Sequence, residues 1–354
     1  MKAAVWHARR DVRVEEVPDP PPPPAGQVKI EVSRCGICGT DLHEYLGGPI
    51  YVPADKPHPL TGARAPVILG HEMSGTVIEV GPGVKRIRIG ERVALCPIIG
   101  CLECVWCRSG RMGVCPNVAF LGVSWHGGGF SKYVNVHEYM CYHLPHEVSF
   151  DVGALVEPFA ATVRAVKRSQ VKPGESVAIV GAGPVGLMAL QAARIAGAKT
   201  VISVEPAAGR QEIARMCGAT AVVDPMEADP VEKIRELTGG DGADVVIECA
   251  GLDKTGMLAG RIAGIAGRIV VMGVFERPAL LDYTDAVYGE KTIIGSMGGY
   301  GVFDEAIGMM AGGSFHGELL ITKKIPLDDI VEWGFHALID HKEDNVKVLV
   351  TLEA

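Results

Sequence analysis

The chain has 354 residues, 45 of them glycine and 6% aromatic, with a formal net charge of −8. That length exceeds one ordinary core and fits about two domains, and the glycine-rich, aromatic-poor balance suits turn-rich α/β architecture. The negative charge is spread without blocks, which excludes an electrostatic footprint for nucleic acid or an anionic membrane surface, and no apolar run reaches the roughly 20 residues that span a bilayer.

The amino-terminal MKAAVWHARRDVRVEE has no apolar signal core, so a soluble cytoplasmic protein is expected. Residues 1–156 carry short valine- and isoleucine-rich runs such as VKIEV, GTVIEVG and ERVAL, broken by Gly and Pro, and read as mostly β. The proline-rich stretch 18–24 between two such runs reads as a stiff connector. CGICGTDLHEY (35–45) follows, and then GHE at Gly70, His71 and Glu72; alone, each is a weak signal.

The strongest local signal is the set Cys101, Cys104, Cys107 and Cys115, separated by two, two and seven residues in a loop-like stretch. Four close thiolates wrap Zn²⁺ tetrahedrally without recruiting distant chain. With all four positions filled by protein, that zinc is structural and the chemistry must lie elsewhere. Ten cysteines otherwise fit a reducing cytosol, because metal ligation accounts for them better than disulfides do.

From about residue 157 the pattern changes. SVAIV, TVISVE, TAVVD, DVVIECAG and RIVVMG are buried-strand runs alternating with helix-length segments, which predicts a parallel sheet covered by helices on both faces. GAGPVG (181–186) follows the first strand and opens a helix, the context that makes GxGxxG a dinucleotide signal. Gly181 permits the tight turn, Gly183 the approach to pyrophosphate and Gly186 close helix packing; Pro184 and Val185 begin the helix whose N–H groups face the phosphates. Glu205, nineteen residues after Gly186, is placed for a ribose 2′-hydroxyl, and Arg210 for a phosphate or the adenine face. With Glu205 present, NAD is expected over NADP. After KTIIGS the alternation stops, and residues 297–354 are expected to return to the first lobe.

Taken together, ICGTDLH, GHE followed by SGTVIEVG, the cysteine loop, EPF at 157–159 and GAGPVG resemble the zinc-dependent medium-chain alcohol dehydrogenases over essentially the whole chain. LHEYLGGPIY and the insert HPLTG are most similar to the family's butanediol dehydrogenase branch. The resemblance implies a GroES-like β-rich catalytic domain (1–156), a Rossmann NAD-binding domain (157–296), and an active site in the cleft between them. It also implies two zinc ions and NAD per chain, a small alcohol or ketone substrate of the 2,3-butanediol/acetoin type, and a homodimer or homotetramer.

By motif, Cys38 and His71 become catalytic-zinc ligands with Glu72 and Glu157 as ligands or near neighbours. Charge argues that the two carboxylates do not both bind throughout the cycle, since Cys38 and one Glu already cancel the metal's charge and further anions weaken the Lewis acid. Thr40 and His43 become a proton relay, and Gly251 and Val274 hold nicotinamide. Cys35, although it forms a CxxC with Cys38, reads as a packed thiol, and Cys96, Cys141, Cys217 and Cys249 as core thiols. One departure stands out: Arg164 occupies the position where many relatives carry His, a permanent cation in place of a titratable ring. Alternatives are a sorbitol, polyol or threonine dehydrogenase sharing the same apparatus, and a non-catalytic NAD-binding zinc protein.

Overall fold

The computed structural model describes residues 1–352 and divides the chain into two units. The first comprises Met1–Glu157, Tyr300–Gly313 and the chain from Ile321 onward; the second comprises Pro158–Gly299 and Ser314–Leu320.

The first unit is built on strands β1 (Gln27–Gly36), β2 (Glu72–Val80), β3 (Arg92–Leu95), β4 (Tyr133–His137) and β5 (Cys141–His143), with helix α1 (Gly39–Gly47) after β1. The β reading of this half holds, but α1 interrupts it at the ICGTDLH motif. Asp41 supplies the start signal, accepting the Cys38 backbone N–H at 2.9 Å and so closing the helix's first turn. Trp6, Ile30, Leu69, Met73 and Phe130 are wholly or almost wholly buried in the core beneath these strands.

The second unit is the alternating one. Helix α2 (Val156–Ser169) leads into β6 (Ser176–Val180), α3 (Pro184–Ile195), β7 (Thr200–Val204), α4 (Ala208–Met216), β8 (Ala221–Val223), α5 (Pro230–Leu237), β9 (Ala243–Glu248), α6 (Asp253–Ile262), β10 (Ala263–Val271) and β11 (Thr292–Gly295). All strand pairs are parallel in the order β8-β7-β6-β9-β10-β11. Every residue of β6 is buried, as a central parallel strand covered on both sides requires. Strand order reverses between β6 and β9, the position where doubly wound sheets take a ligand beyond the strands' carboxyl ends.

Strands β12 (Ile321–Pro326) and β13 (Lys347–Thr351) then complete the first unit's sheet, in the order β5-β3-β2-β1-β13-β12 with β4 also on β1. Gly36, at the end of β1, pairs with Glu72 on one side and with Leu349 on the other. That register gathers the residue after β1, the first residue of β2 and the start of β13 at one edge, although they lie far apart in sequence.

Candidate metal and dinucleotide sites

In the cysteine loop, the four Sγ atoms of Cys101, Cys104, Cys107 and Cys115 all lie within 4.8 Å of one another. Cys101 and Cys107 are 3.9 Å apart, against the ~3.8 Å that tetrahedral Zn–S bonds of about 2.3 Å impose. The backbone prepares thiolates: Cys104 N–H donates to Cys101 Sγ at 3.3 Å and Cys107 N–H to Cys104 Sγ at 3.4 Å. Such bonds, with Glu103 the largest contributor, pull the Cys101 thiol down to about 6, while burial first and Cys104 second push Cys107 up to about 12. The donor set, its spacing and its N–H···S bonds fit a structural zinc. Cys104→Ala is therefore expected to lose one zinc equivalent per chain and to open residues 101–115 to limited proteolysis, while NAD binding by the second unit persists. Unchanged metal content would contradict this.

The second set is assembled by the sheet edge. Cys38 caps α1, and its Sγ lies 3.7 Å from Thr40 Oγ1. His71, 7% exposed, feels the Cys38 side chain electrostatically and has Nδ1 3.7 Å from Asp41 Oδ1. Glu157, half-buried in the first turn of α2, acts electrostatically on the same histidine. Glu72 is turned elsewhere: its two carboxylate oxygens accept from Lys347 Nζ at 2.9 and 2.6 Å, and that ammonium also donates to Ile37 O at 3.0 Å. Both side chains of the pair are almost fully buried. Thr40 and His43 sit half-buried on α1, and Arg164 is half-buried on α2.

Asp41 and Lys347 were not among the residues singled out from sequence. Asp41 carried a signal, an acid three residues after Cys38 where a helix first turn wants one. Lys347 carried a fainter one, a lone cation opening the otherwise apolar run KVLVT.

In ligand type and charge these donors suit a zinc ion, while among the described residues the cysteine loop is the group of three or more such side chains whose ligand atoms already stand within 4.8 Å of one another. Cys38 thiolate and Glu157 carboxylate together match the ion's two positive charges, His71 adds a neutral nitrogen, and Lys347 already balances Glu72. Behind His71 stands Asp41, with Oδ1 3.7 Å from His71 Nδ1 and both atoms buried without a conventional hydrogen bond, in the place where a carboxylate would face a ligating imidazole.

Protonation in the metal-free protein follows from the same crowding. Burial lowers the His71 pKa, but Cys38, Asp41 and Glu157 outweigh it and leave the imidazolium favoured well above the usual range. Burial raises Glu157 to about 7 and Asp41 to about 6, against ordinary values of 4.5 and 3.8. In the folded state these two groups hold carboxyl protons that the unfolded chain has released, so their contribution to the stability of the metal-free protein falls as pH rises from about 4 to about 7. Zinc competes for those sites, so its apparent affinity rises over that window and loading releases protons. The chelated protein's thermal midpoint is expected to drop from about pH 5 to about pH 8 more steeply than that of the zinc-loaded protein; parallel curves would contradict this.

In the second unit, Gly181 has φ +94°, and a Cβ on Gly186 would collide with the Gly181 carbonyl, so turn and helix approach as closely as the motif implies. Pro184 and Val185 open α3. Glu205, directly after β7, is 5% exposed and braces this turn, accepting from Ala182 N–H at 2.6 Å and Ala207 N–H at 3.0 Å. Bracing leaves lone pairs on both oxygens for a ribose hydroxyl. An Arg210 guanidinium nitrogen lies 3.8 Å from where a Cβ on Gly183 would sit, which brings this cation to the glycine turn. Gly251 and Val274 are side by side, since a Cβ on Gly251 would meet Val274 O at 2.6 Å.

Cys35, Cys96, Cys141 and Cys217 are buried, Cys249 is half-buried, and all ten cysteines are unpaired. No helix among the described residues is long and apolar enough to cross a membrane.

Residues 24–146 match the alcohol dehydrogenase GroES-like domain and residues 184–312 the zinc-binding dehydrogenase domain. The (R,R)-butanediol dehydrogenase of Bacillus subtilis strain 168 is 44% identical over 351 residues, 99% of each chain. The crystal structure of 2R,3R-butanediol dehydrogenase from Bacillus subtilis superposes with a TM-score of 0.93 at 42% identity, covering 99% of both chains. A zinc-binding dehydrogenase from Sinorhizobium meliloti 1021, bound to NADP, gives a TM-score of 0.89 at 34% identity over 99% of this chain and 98% of that one. With a GroES-like β-rich unit, a Rossmann unit and full-length relatives at this identity, the chain belongs to the zinc-binding alcohol dehydrogenase family.

Proposed function

We propose that this enzyme interconverts a secondary alcohol and a ketone with NAD, and that its substrate is a vicinal diol of the 2,3-butanediol/acetoin type. The observation that carries the reading is that Cys38, at the start of α1, and Glu157, in the first turn of α2, both bear on His71, with Glu72 neutralised by Lys347. Cys38, His71 and Glu157 would hold the catalytic zinc, and Cys101, Cys104, Cys107 and Cys115 the structural one. Zinc at the first site supplies a Lewis acid that makes the alcohol proton easier to lose near neutral pH. The Thr40 hydroxyl would accept the alcohol's proton while passing its own on toward His43 and solvent, and NAD⁺, held by the glycine turn and Glu205, would supply the hydride acceptor that turns the alcohol into a ketone.

Glu205 favours the free 2′-hydroxyl of NAD over the 2′-phosphate of NADP, so the NADP-bound relative does not set the preference here. The substrate assignment is supported by the identity to butanediol dehydrogenases over the full chain. Ten unpaired cysteines support a reducing, cytoplasmic setting. A homodimer or homotetramer is supported by the exposed Ile265, Val287, Tyr288 and Ile293 around the edge of the parallel sheet.

The test is the initial rate of NAD⁺ reduction with each 2,3-butanediol stereoisomer, sorbitol, threonine and simple secondary alcohols, repeated with NADP⁺ and after chelation. A chelator-sensitive, NAD-selective preference for one butanediol isomer is expected. Preference for sorbitol or threonine would move the substrate and keep the chemistry; no turnover of any alcohol by zinc-loaded protein would sink the reading.

A further inference from the structure

Glu248 ends β9, the strand next to β6 on the far side of the switch point from β7. Its carboxylate is fully buried. Oε1 accepts from Ala250 N–H and Gly251 N–H at 2.9 Å each and from Thr255 Oγ1–H at 2.8 Å. Its backbone carbonyl accepts from Met272 N–H at 2.9 Å and Gly273 N–H at 3.1 Å. One residue therefore joins the turn after β9 to the turn after β10. The other oxygen, Oε2, is buried with no hydrogen-bond partner and lies against Gly273, where a Cβ would strike it.

An unpartnered buried oxygen costs stability, and the three donors on its neighbour leave Oε2 itself unsatisfied. Where the cofactor would lie suggests a reason. A dinucleotide with its adenosine ribose at Glu205 beyond β7 and its pyrophosphate over the glycine turn after β6 can only continue over β9 and β10. That course lays the nicotinamide on the two turns Glu248 joins, the ones that carry Gly251 and Val274. The ring is positively charged in NAD⁺ and neutral in NADH. A buried anion nearby, in a low-dielectric surround, distinguishes those two states.

We propose that Glu248 is a positioning residue whose buried carboxylate both fixes the nicotinamide-bearing turns and biases the enzyme toward binding oxidised over reduced cofactor. This rests on the NAD reading above. Charge is what separates the proposal from a purely structural role, since a turn brace alone would affect both cofactor forms alike.

The test uses the full-length, zinc-loaded protein and calorimetric titration of NAD⁺ and NADH. Glu248→Gln keeps the shape and removes the charge; NAD⁺ affinity is expected to fall about tenfold, with NADH within about twofold. Thr255→Ala removes one donor from Oε1 while retaining the charge, leaving it less neutralised, so the NAD⁺-to-NADH preference should shift a few-fold in the opposite direction. Thr255→Ala also keeps the test open if Glu248→Gln does not fold. Parallel losses for both cofactor forms, or an unchanged ratio in the variants, would overturn the proposal. If the unaltered protein binds neither form, the NAD reading itself fails, and that outcome is distinguishable because no variant is needed to see it.

Discussion

Lys347→Met is expected to destabilise the metal-free protein by about 3–5 kcal/mol, the usual cost of leaving one member of a buried ion pair without its partner. The ammonium is held between both Glu72 oxygens and the Ile37 carbonyl, with about 2% of its side chain exposed. Burial works against its charge, but Glu72 and then Cys38 outweigh that and raise its pKa. Its contribution is therefore present at neutral pH and lost only as pH rises beyond the ordinary lysine value of 10.5.

The zinc-loaded variant should lose less stability, because Glu72, freed from its cation, can turn to the metal. That rearrangement adds a third negative ligand beside Cys38 and Glu157, so turnover should fall while zinc affinity rises. Glu72→Gln combined with Lys347→Met should recover much of the stability, as expected for two residues in direct contact. Denaturant unfolding of the chelated and loaded proteins, with zinc competition assays, reads all of this. A Lys347→Met protein as stable as the parent in both states would show that the pair does not hold Glu72 in place.

The second large effect is expected at His71. His71→Ala should lower NAD⁺-dependent turnover by at least the order of 10³-fold that loss of a single transition-state electrostatic group costs, since an entire Lewis acid is weakened or lost. Zinc content should drop by one equivalent per chain. NADH affinity should change little, because the glycine turn and Glu205 belong to the other unit. A variant that kept both zincs and most of its rate would remove His71 from the proposed ligand set.

Much of this was legible in the sequence, for reasons of chain distance. The cysteine loop declares itself because its four ligands fall within 101–115, and the parallel sheet because strands and helices alternate without interruption. The glycine turn is likewise contiguous, with Gly181 at positive φ and Gly186 packed closely against the Gly181 carbonyl. Glu205 was legible as a residue at a strand end, but its hydrogen bonds to Ala182 and Ala207 emerge only once the turn is folded against it.

What the sequence did not disclose depends on register. Lys347 meets Glu72 from 275 residues away because β13 and β2 both flank β1, and no local pattern encodes that meeting. Asp41 looked like an ordinary helix-start acid until His71 was placed behind it. Glu248 lay inside a run legible only as a buried strand, with its carboxylate directed into the turns beyond. In each case a strand end carries a charge whose partner is set by sheet order.

Stepwise removal of metal from a single preparation tests the seat of the chemistry most directly. A chelator titrated into the two-zinc protein, with zinc per chain and NAD⁺-dependent oxidation of 2,3-butanediol followed together, is predicted to abolish turnover as one zinc leaves while the other stays. Readdition of one equivalent should restore the rate. Undiminished turnover after that first zinc is gone would contradict the assignment of the Cys38, His71 and Glu157 site as the seat of the chemistry.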